Sequence, residues 1–125
     1  MQSNAILQYK QQSISTMSRG EQLVLLFDEV IKNLHHATML MKENDFINSE
    51  KCTQKCKSIF QYLSSILDFK YPISKDLYDL YYFCNQQIIR AEIRRDPQLL
   101  NDILPLVNDM RDTWVQAEKL IHIKK

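Results

Sequence analysis

The chain has 125 residues, 45% of them apolar and 25% charged, which suits one soluble globular domain and excludes a disordered or fibrous protein. A formal charge of +1 provides no field to gather nucleic acid or an anionic membrane, and uncharged apolar runs such as Leu23 to Phe27 are far too short to cross a bilayer. One Gly and three Pro argue against a turn-rich β fold, and three cysteines cannot all pair, so small buried thiols in a reducing compartment are expected rather than a disulfide.

Residues 1–17 read as an arm, flexible or forming a short helix, ahead of a single helical domain over residues 18–125. Gln2, Gln8, Gln11, Gln12, Ser13 and Ser15 leave the arm unable to build a core, yet it carries Tyr9 and Ile14, large side chains that usually dock somewhere. It lacks a charged start followed by an apolar signal segment, so a cytoplasmic location is expected.

The first helix is announced by Ser18 and Glu21, a capping-box spacing in which each side chain satisfies a free amide of the other residue. Leu23, Leu26, Phe27, Val30, Leu34, Ala37 and Met41 then recur at steps of three and four, placing one apolar stripe along a long helix. After a polar break at Glu43, Asn44 and Asp45, a second stripe runs through Cys52, Cys56, Ile59, Phe60, Leu63, Ile66 and Leu67, and should end near Tyr71-Pro72. Ser74 is the expected cap of a third helix through Leu77, Leu80, Tyr81, Cys84, Ile88 and Ala91. Asp96-Pro97 starts a fourth, through Leu100, Ile103, Val107, Met110, Trp114, Ala117 and Ile121, with a kink or split expected near Pro105. Four helices on short connections make an all-α, antiparallel four-helix bundle the expected architecture.

Catalytic constellations are sparse. Cys52 and Cys56 share a face but have no second pair to complete a four-ligand zinc site, and Glu118 with His122 lacks the partner helix of a di-iron bundle. His35 and His36 are adjacent, so they point about 100° apart on a helix and cannot ligate from one face. Either could be the acceptor of a histidine phosphotransfer or other signalling bundle, the alternative reading, but no lysine follows three residues later and no glycine stands nearby. With Gly20 as the sole glycine, no phosphate loop or nucleophile elbow is possible. Neither an enzyme nor a cofactor- or metal-binding protein is expected. Basic clusters at Lys51, Lys55 and Lys57 and at Arg90, Arg94 and Arg95 are diluted by carboxylates and read as solvated faces or the rim of a partner site.

The third helix has more aromatic surface than one face can hide, since Tyr78, Tyr81, Tyr82 and Phe83 subtend nearly half its circumference. They are either tyrosines with wet hydroxyls or the wall of a groove for an amphipathic partner helix, which an arm bearing Tyr9 and Ile14 can cover when the groove is empty.

Several segments, in order and at matching spacing, resemble the flagellin-specific export chaperones, the FliS family. They are Tyr9 to Thr16 (YKQQSIST), Leu23 to Asp28 (LVLLFD), Leu80-Tyr81, Ile88 to Ala91 (IIRA), Arg94 to Asp96 (RRD), and Met110 to Ala117 (MRDTWVQA). Gln86, Gln87, Glu92 and Pro105 depart from the residues usual in that family. The resemblance implies a cytoplasmic chaperone that binds the C-terminal amphipathic segment of flagellin, prevents its premature polymerisation and hands it to the gate of the flagellar type III export apparatus, with no nucleotide or metal. A co-chaperone is left open. Tyr9 and Ile14 are the candidate cap, Leu23 and Phe27 its base, and Tyr81, Tyr82, Ile88 and Ile89 the candidate groove, while Trp114 is either a core anchor or a groove wall. The arm can pack on its own bundle or swap onto a neighbour, giving a homodimer through the arm.

Overall fold

A computed structural model describes residues 19–124, with side chains through residue 117. It contains four helices, α1 (Arg19–Lys42), α2 (Phe46–Ser65), α3 (Ile73–Arg94) and α4 (Pro97–Lys124). Helix α1 packs against α2 and α4, and α3 packs against the same two, so the helices close a four-membered ring in chain order. With short connections, this is the antiparallel bundle that the periodicity predicts. Ser18 and the arm lie outside the described residues.

Helix α1 buries Phe27, Val30, Leu34, Ala37 and Met41, each three or four residues from the last. Two polar residues on its buried side satisfy themselves within the helix: Asn33 Nδ2 donates to the Glu29 carbonyl at 2.8 Å, and Thr38 Oγ1 donates to the Leu34 carbonyl at 2.9 Å. The helix ends at Asn44, whose φ of 60° is left-handed. The Asn44 amide donates to Met41 O at 3.0 Å and the Asp45 amide to Leu40 O at 2.8 Å, the paired bonds of a Schellman ending. Asp45 then starts α2, its Oδ1 accepting from the Asn48 amide at 3.2 Å and its Oδ2 from Asn48 Nδ2 at 2.8 Å. These bonds hold its carboxyl below the ordinary aspartate value.

Helix α2 stops at Ser65, earlier than the expected end near Tyr71-Pro72. Asp68 is the reason: its Oδ1 takes the Lys70 amide at 3.0 Å and its carbonyl accepts the Ser74 hydroxyl at 2.6 Å, a local closure that competes with helical hydrogen bonding. Ile66 and Leu67 still pack against the core from this connection, so the apolar stripe outlasts the helix. Ser74 is not the cap expected of it. Helix α3 begins at Ile73 behind Pro72, which has helical angles and no capping side chain, while the Ser74 hydroxyl is committed to Asp68.

Helix α3 ends at Arg95, left-handed at φ 51°, where the Arg95 and Asp96 amides both reach the Ala91 carbonyl. The Arg95 guanidinium lies 4.2 Å from the centroid of the Phe46 ring, tying the end of α3 to the start of α2. Asp96 Oδ1 accepts the Gln98 amide at 3.0 Å and Pro97 opens α4, as the sequence predicts. Of the two outcomes expected at Pro105, the split does not occur: α4 runs unbroken through it. Pro105 is exposed, so the carbonyl it leaves unpaired is on the wet side, while Ile103, Leu104 and Val107 anchor both flanks in the core.

Phe27, Phe60 and Tyr81 meet at the centre, with ring centroids 6.4 Å apart for Phe27 and Tyr81 and 5.9 Å for Phe60 and Tyr81. Around this centre, Glu92 on α3 binds Lys57 Nζ at 2.7 Å and Thr53 Oγ1 at 3.0 Å on α2. Arg111 Nε on α4 binds Asp28 Oδ1 on α1 at 2.6 Å. Cys52, Cys56 and Cys84 are unpaired, and burial pushes the Cys56 and Cys84 thiols up to about 12.

Ile88→Ala, at a fully buried position, is expected to lower stability by about 2–5 kcal/mol in urea unfolding, whereas Ile47→Ala, with Ile47 76% exposed, should change it by less than about 0.5 kcal/mol. Equal shifts for the two would contradict the core. Iodoacetamide at about pH 8 should alkylate half-buried Cys52 first and reach Cys56 and Cys84 only on unfolding; labelling of Cys84 in the folded protein as fast as Cys52 would contradict the burial.

Candidate partner-binding groove

The early stop of α2 opens the bundle at the end where α1 begins. Two apolar depressions adjoin there and share Arg19, Leu23 and Ile66. One, of about 580 Å³, lies between α1 and α2 and is lined by Leu23, Leu25, Leu26, Tyr62 and Ile66. The other, of about 420 Å³, is walled by Leu63, Ile66 and Leu67 from α2 and its connection, by Tyr71, Ile73, Leu77 and Tyr81 around α3, and by Trp114 from α4. Together they form one apolar groove with a sparse charged rim of Arg19, Asp28, Glu29 and Asp68.

The groove floor is tied across helices. Burial pushes the Tyr81 hydroxyl up to about 12, opposed in part by the nearby Trp114 side chain. Asp28, on the rim, is held by Arg111; with both side chains a third or more exposed, this pair contributes little stability, and its role is to fix where α4 sits beside α1.

The structure divides the residues singled out from the sequence into three groups. Leu23, Tyr81 and Trp114 line the same depression, with Trp114 half-buried and packed against the core. Phe27 and Ile88 are fully buried: Ile88, a groove candidate, presents no surface, and Phe27, expected at the base of the cap, lies in the core. Phe27 lies one helical turn below Leu23 and supports the groove through the Tyr81 ring. Tyr82 and Ile89 are exposed on a different side of α3, Ile89 in a shallow polar-rimmed depression of about 290 Å³ between α2 and α3 with Phe46, Lys57, Glu92 and Ile93. Each successive residue turns about 100° around a helix, so Tyr81 and Tyr82, or Ile88 and Ile89, cannot share a face. Tyr9 and Ile14 lie outside the described residues.

Sequence reasoning missed Leu26, Tyr62, Leu67, Tyr71, Ile73 and Leu77 as groove residues. The available signal was Ile66 and Leu67 followed at once by Phe69, Tyr71 and Ile73, a run of large apolar side chains in a segment that proline marks as irregular.

The groove holds nothing suited to bond-making. His35 and His36 are exposed on α1 between the buried Leu34 and Ala37, away from it. Cys56 is buried, and no three His, Cys, Asp or Glu side chains gather as a metal site among the described residues. No described helix is long and apolar enough to cross a membrane. What the arrangement offers is apolar area, shape and a thin charged rim, the means by which a protein takes up an amphipathic helix.

Comparison with known proteins bears on the family and the fold. The family model "Flagellar protein FliS" matches residues 2–120. The flagellar secretion chaperone FliS of Bacillus subtilis is 25% identical over 114 residues, covering 91% of this chain and 86% of that one. The protein of the same name from Vibrio cholerae serotype O1 is 34% identical over 50 residues, 40% of this chain and 37% of that one. A crystal structure of a bacterial flagellar chaperone superposes with a TM-score of 0.76 at 19% identity, covering 95% of this chain and 98% of its own, and so shares the fold. The chain belongs to the FliS family of flagellar proteins, a family of chaperones and not of enzymes.

Proposed function

We propose that this chain is a cytoplasmic flagellar secretion chaperone that binds the C-terminal amphipathic segment of flagellin, prevents its premature polymerisation and assists its delivery to the type III export apparatus. The observation that carries this reading is the continuous apolar groove over Leu23, Ile66, Tyr81 and Trp114, which has the chemistry of a helix receptor and of nothing catalytic. Filament subunits associate through amphipathic helices, which need an apolar surrogate until export. Each 100 Å² of apolar surface buried contributes about 2.5 kcal/mol, set against the cost of ordering an unfolded client.

The arm is the groove's competing occupant in this reading. Arg19, where the described chain begins, lines both depressions, and Ile14 stands five positions before it, a reach of up to about 17 Å. Ile14 and Tyr9 are thus within range of the groove, or of a neighbour's groove in an arm-swapped homodimer. Hand-over to the export gate, with or without a co-chaperone, requires that client and arm exchange at this one place.

Titration calorimetry against the C-terminal segment of flagellin from the same cell is expected to give tight binding with a negative heat-capacity change and a shift in the emission of Trp114, the single tryptophan. Leu23→Glu and Trp114→Ala should each weaken binding by about tenfold or more. No heat and no emission change, with and without the arm, would defeat the chaperone reading. Removing residues 1–14 should tighten client binding or promote self-association; unchanged affinity together with unchanged solution mass would remove the arm from the mechanism.

A further inference from the structure

Ser74, the expected cap of α3, spends its hydroxyl elsewhere. It is buried, lies among the residues that line the second depression, and donates from Oγ to the Asp68 carbonyl at 2.6 Å. The same carbonyl accepts the Tyr71 amide at 3.2 Å, Asp68 Oδ1 takes the Lys70 amide at 3.0 Å, and the Ser74 amide donates back to the Tyr71 carbonyl at 3.0 Å. Residues 68–74 are thereby closed on themselves around one carbonyl oxygen. Buried Thr38 and Ser49 differ, because each bonds a carbonyl of its own helix, four and three residues back, and holds only a helix that is already there.

The closure decides which side chains face the groove. Ile66 and Leu67 lead into it, Tyr71 and Ile73 lie inside it, and all four wall the second depression. Phe69 is turned the other way: its ring packs edge-on against Tyr78 with centroids 6.2 Å apart, and it lines neither depression. Tyr71 and Ile73 are 62% and 60% exposed, so little packing of their own holds them in place. Their direction is set by the backbone that carries them, and that backbone is set by the bonds to Asp68.

We propose that Ser74 is a positioning residue for client binding: through the Asp68 carbonyl it fixes the wall of Tyr71 and Ile73, so that the wall is ordered before the client arrives. Order in place beforehand is order that binding does not have to impose, and affinity rises accordingly. This rests on the groove being the client site, so one arm of the test uses no client.

The full chain is titrated with the apolar dye 8-anilinonaphthalene-1-sulfonate, read by energy transfer from Trp114 in the groove, and separately with the C-terminal segment of flagellin. Ser74→Ala should speed hydrogen exchange at the Tyr71 and Ser74 amides, weaken dye and client by about fivefold or more, and lower the thermal midpoint by only about 5 °C or less. Ser74→Thr keeps the hydroxyl, has the open depression for its added methyl, and should restore all of these. A serine that served stability alone would lower the midpoint and leave both affinities unchanged. Asp68→Ala, at an exposed position, removes only the Lys70 bond and should give a smaller loss in the same direction. Dye affinity lost in Ser74→Ala and regained in Ser74→Thr supports the proposal even where the flagellin segment binds no form of the protein, a result that counts against the chaperone reading alone. Wild-type affinities in each alanine variant that folds, or a loss that Ser74→Thr does not reverse, would overturn it.

Discussion

Phe27, Phe60 and Tyr81 bring α1, α2 and α3 to one point, and the groove depends on that packing. Tyr81 belongs both to this centre and to the groove wall, which it shares with Trp114 on α4, so all four helices are referred to one side chain. A groove built this way is stiff from beneath. Its floor cannot shift without opening the core, whereas its walls at Tyr71 and Ile73 lie on or next to a short connection held by Asp68.

Polar interactions divide the labour differently. The Lys57–Glu92 pair is largely shielded, with side-chain exposures of 18% and 16%, and with Thr53 it locks α2 to α3 on the side away from the groove. Glu92 is one of the departures from the usual family residues, and here it finds a complete set of partners. Arg111 and Asp28 join α4 to α1 in a more exposed setting, where direction matters more than energy. Both ties run between neighbouring helices of the ring, so they fix its order while the apolar centre supplies most of the stability.

The two sides of α3 meet different surroundings. One is used up by the core, and the other lies on the flank toward α2, where the depression beside Ile89 and Ile93 is rimmed by charge. The groove near Leu23 is apolar almost throughout. Their chemistry differs because the first lies between two complete helices carrying long polar side chains, and the second lies where a helix stops and its backbone turns away.

Periodicity and local capping determined the four helices, their apolar stripes, the break at Glu43, Asn44 and Asp45 and the start of α4 at Asp96-Pro97, because these depend on side chains three or four residues apart. The resemblance of ordered segments determined the family, and composition argued against bond-making chemistry. Tertiary structure decided the rest. The end of α2 depends on Asp68 reaching Lys70 and Ser74, and the continuity of α4 through Pro105 depends on anchors at Ile103 and Val107, neither of which periodicity registers. Whether Ile88 or Ile89 faces water, and whether Tyr81 is floor or surface, follows from how each helix is rotated against its neighbours. That rotation is set by contacts between residues far apart in the chain, such as Phe27 with Tyr81 and Lys57 with Glu92, and a one-dimensional pattern carries the stripe but not the angle at which it is used.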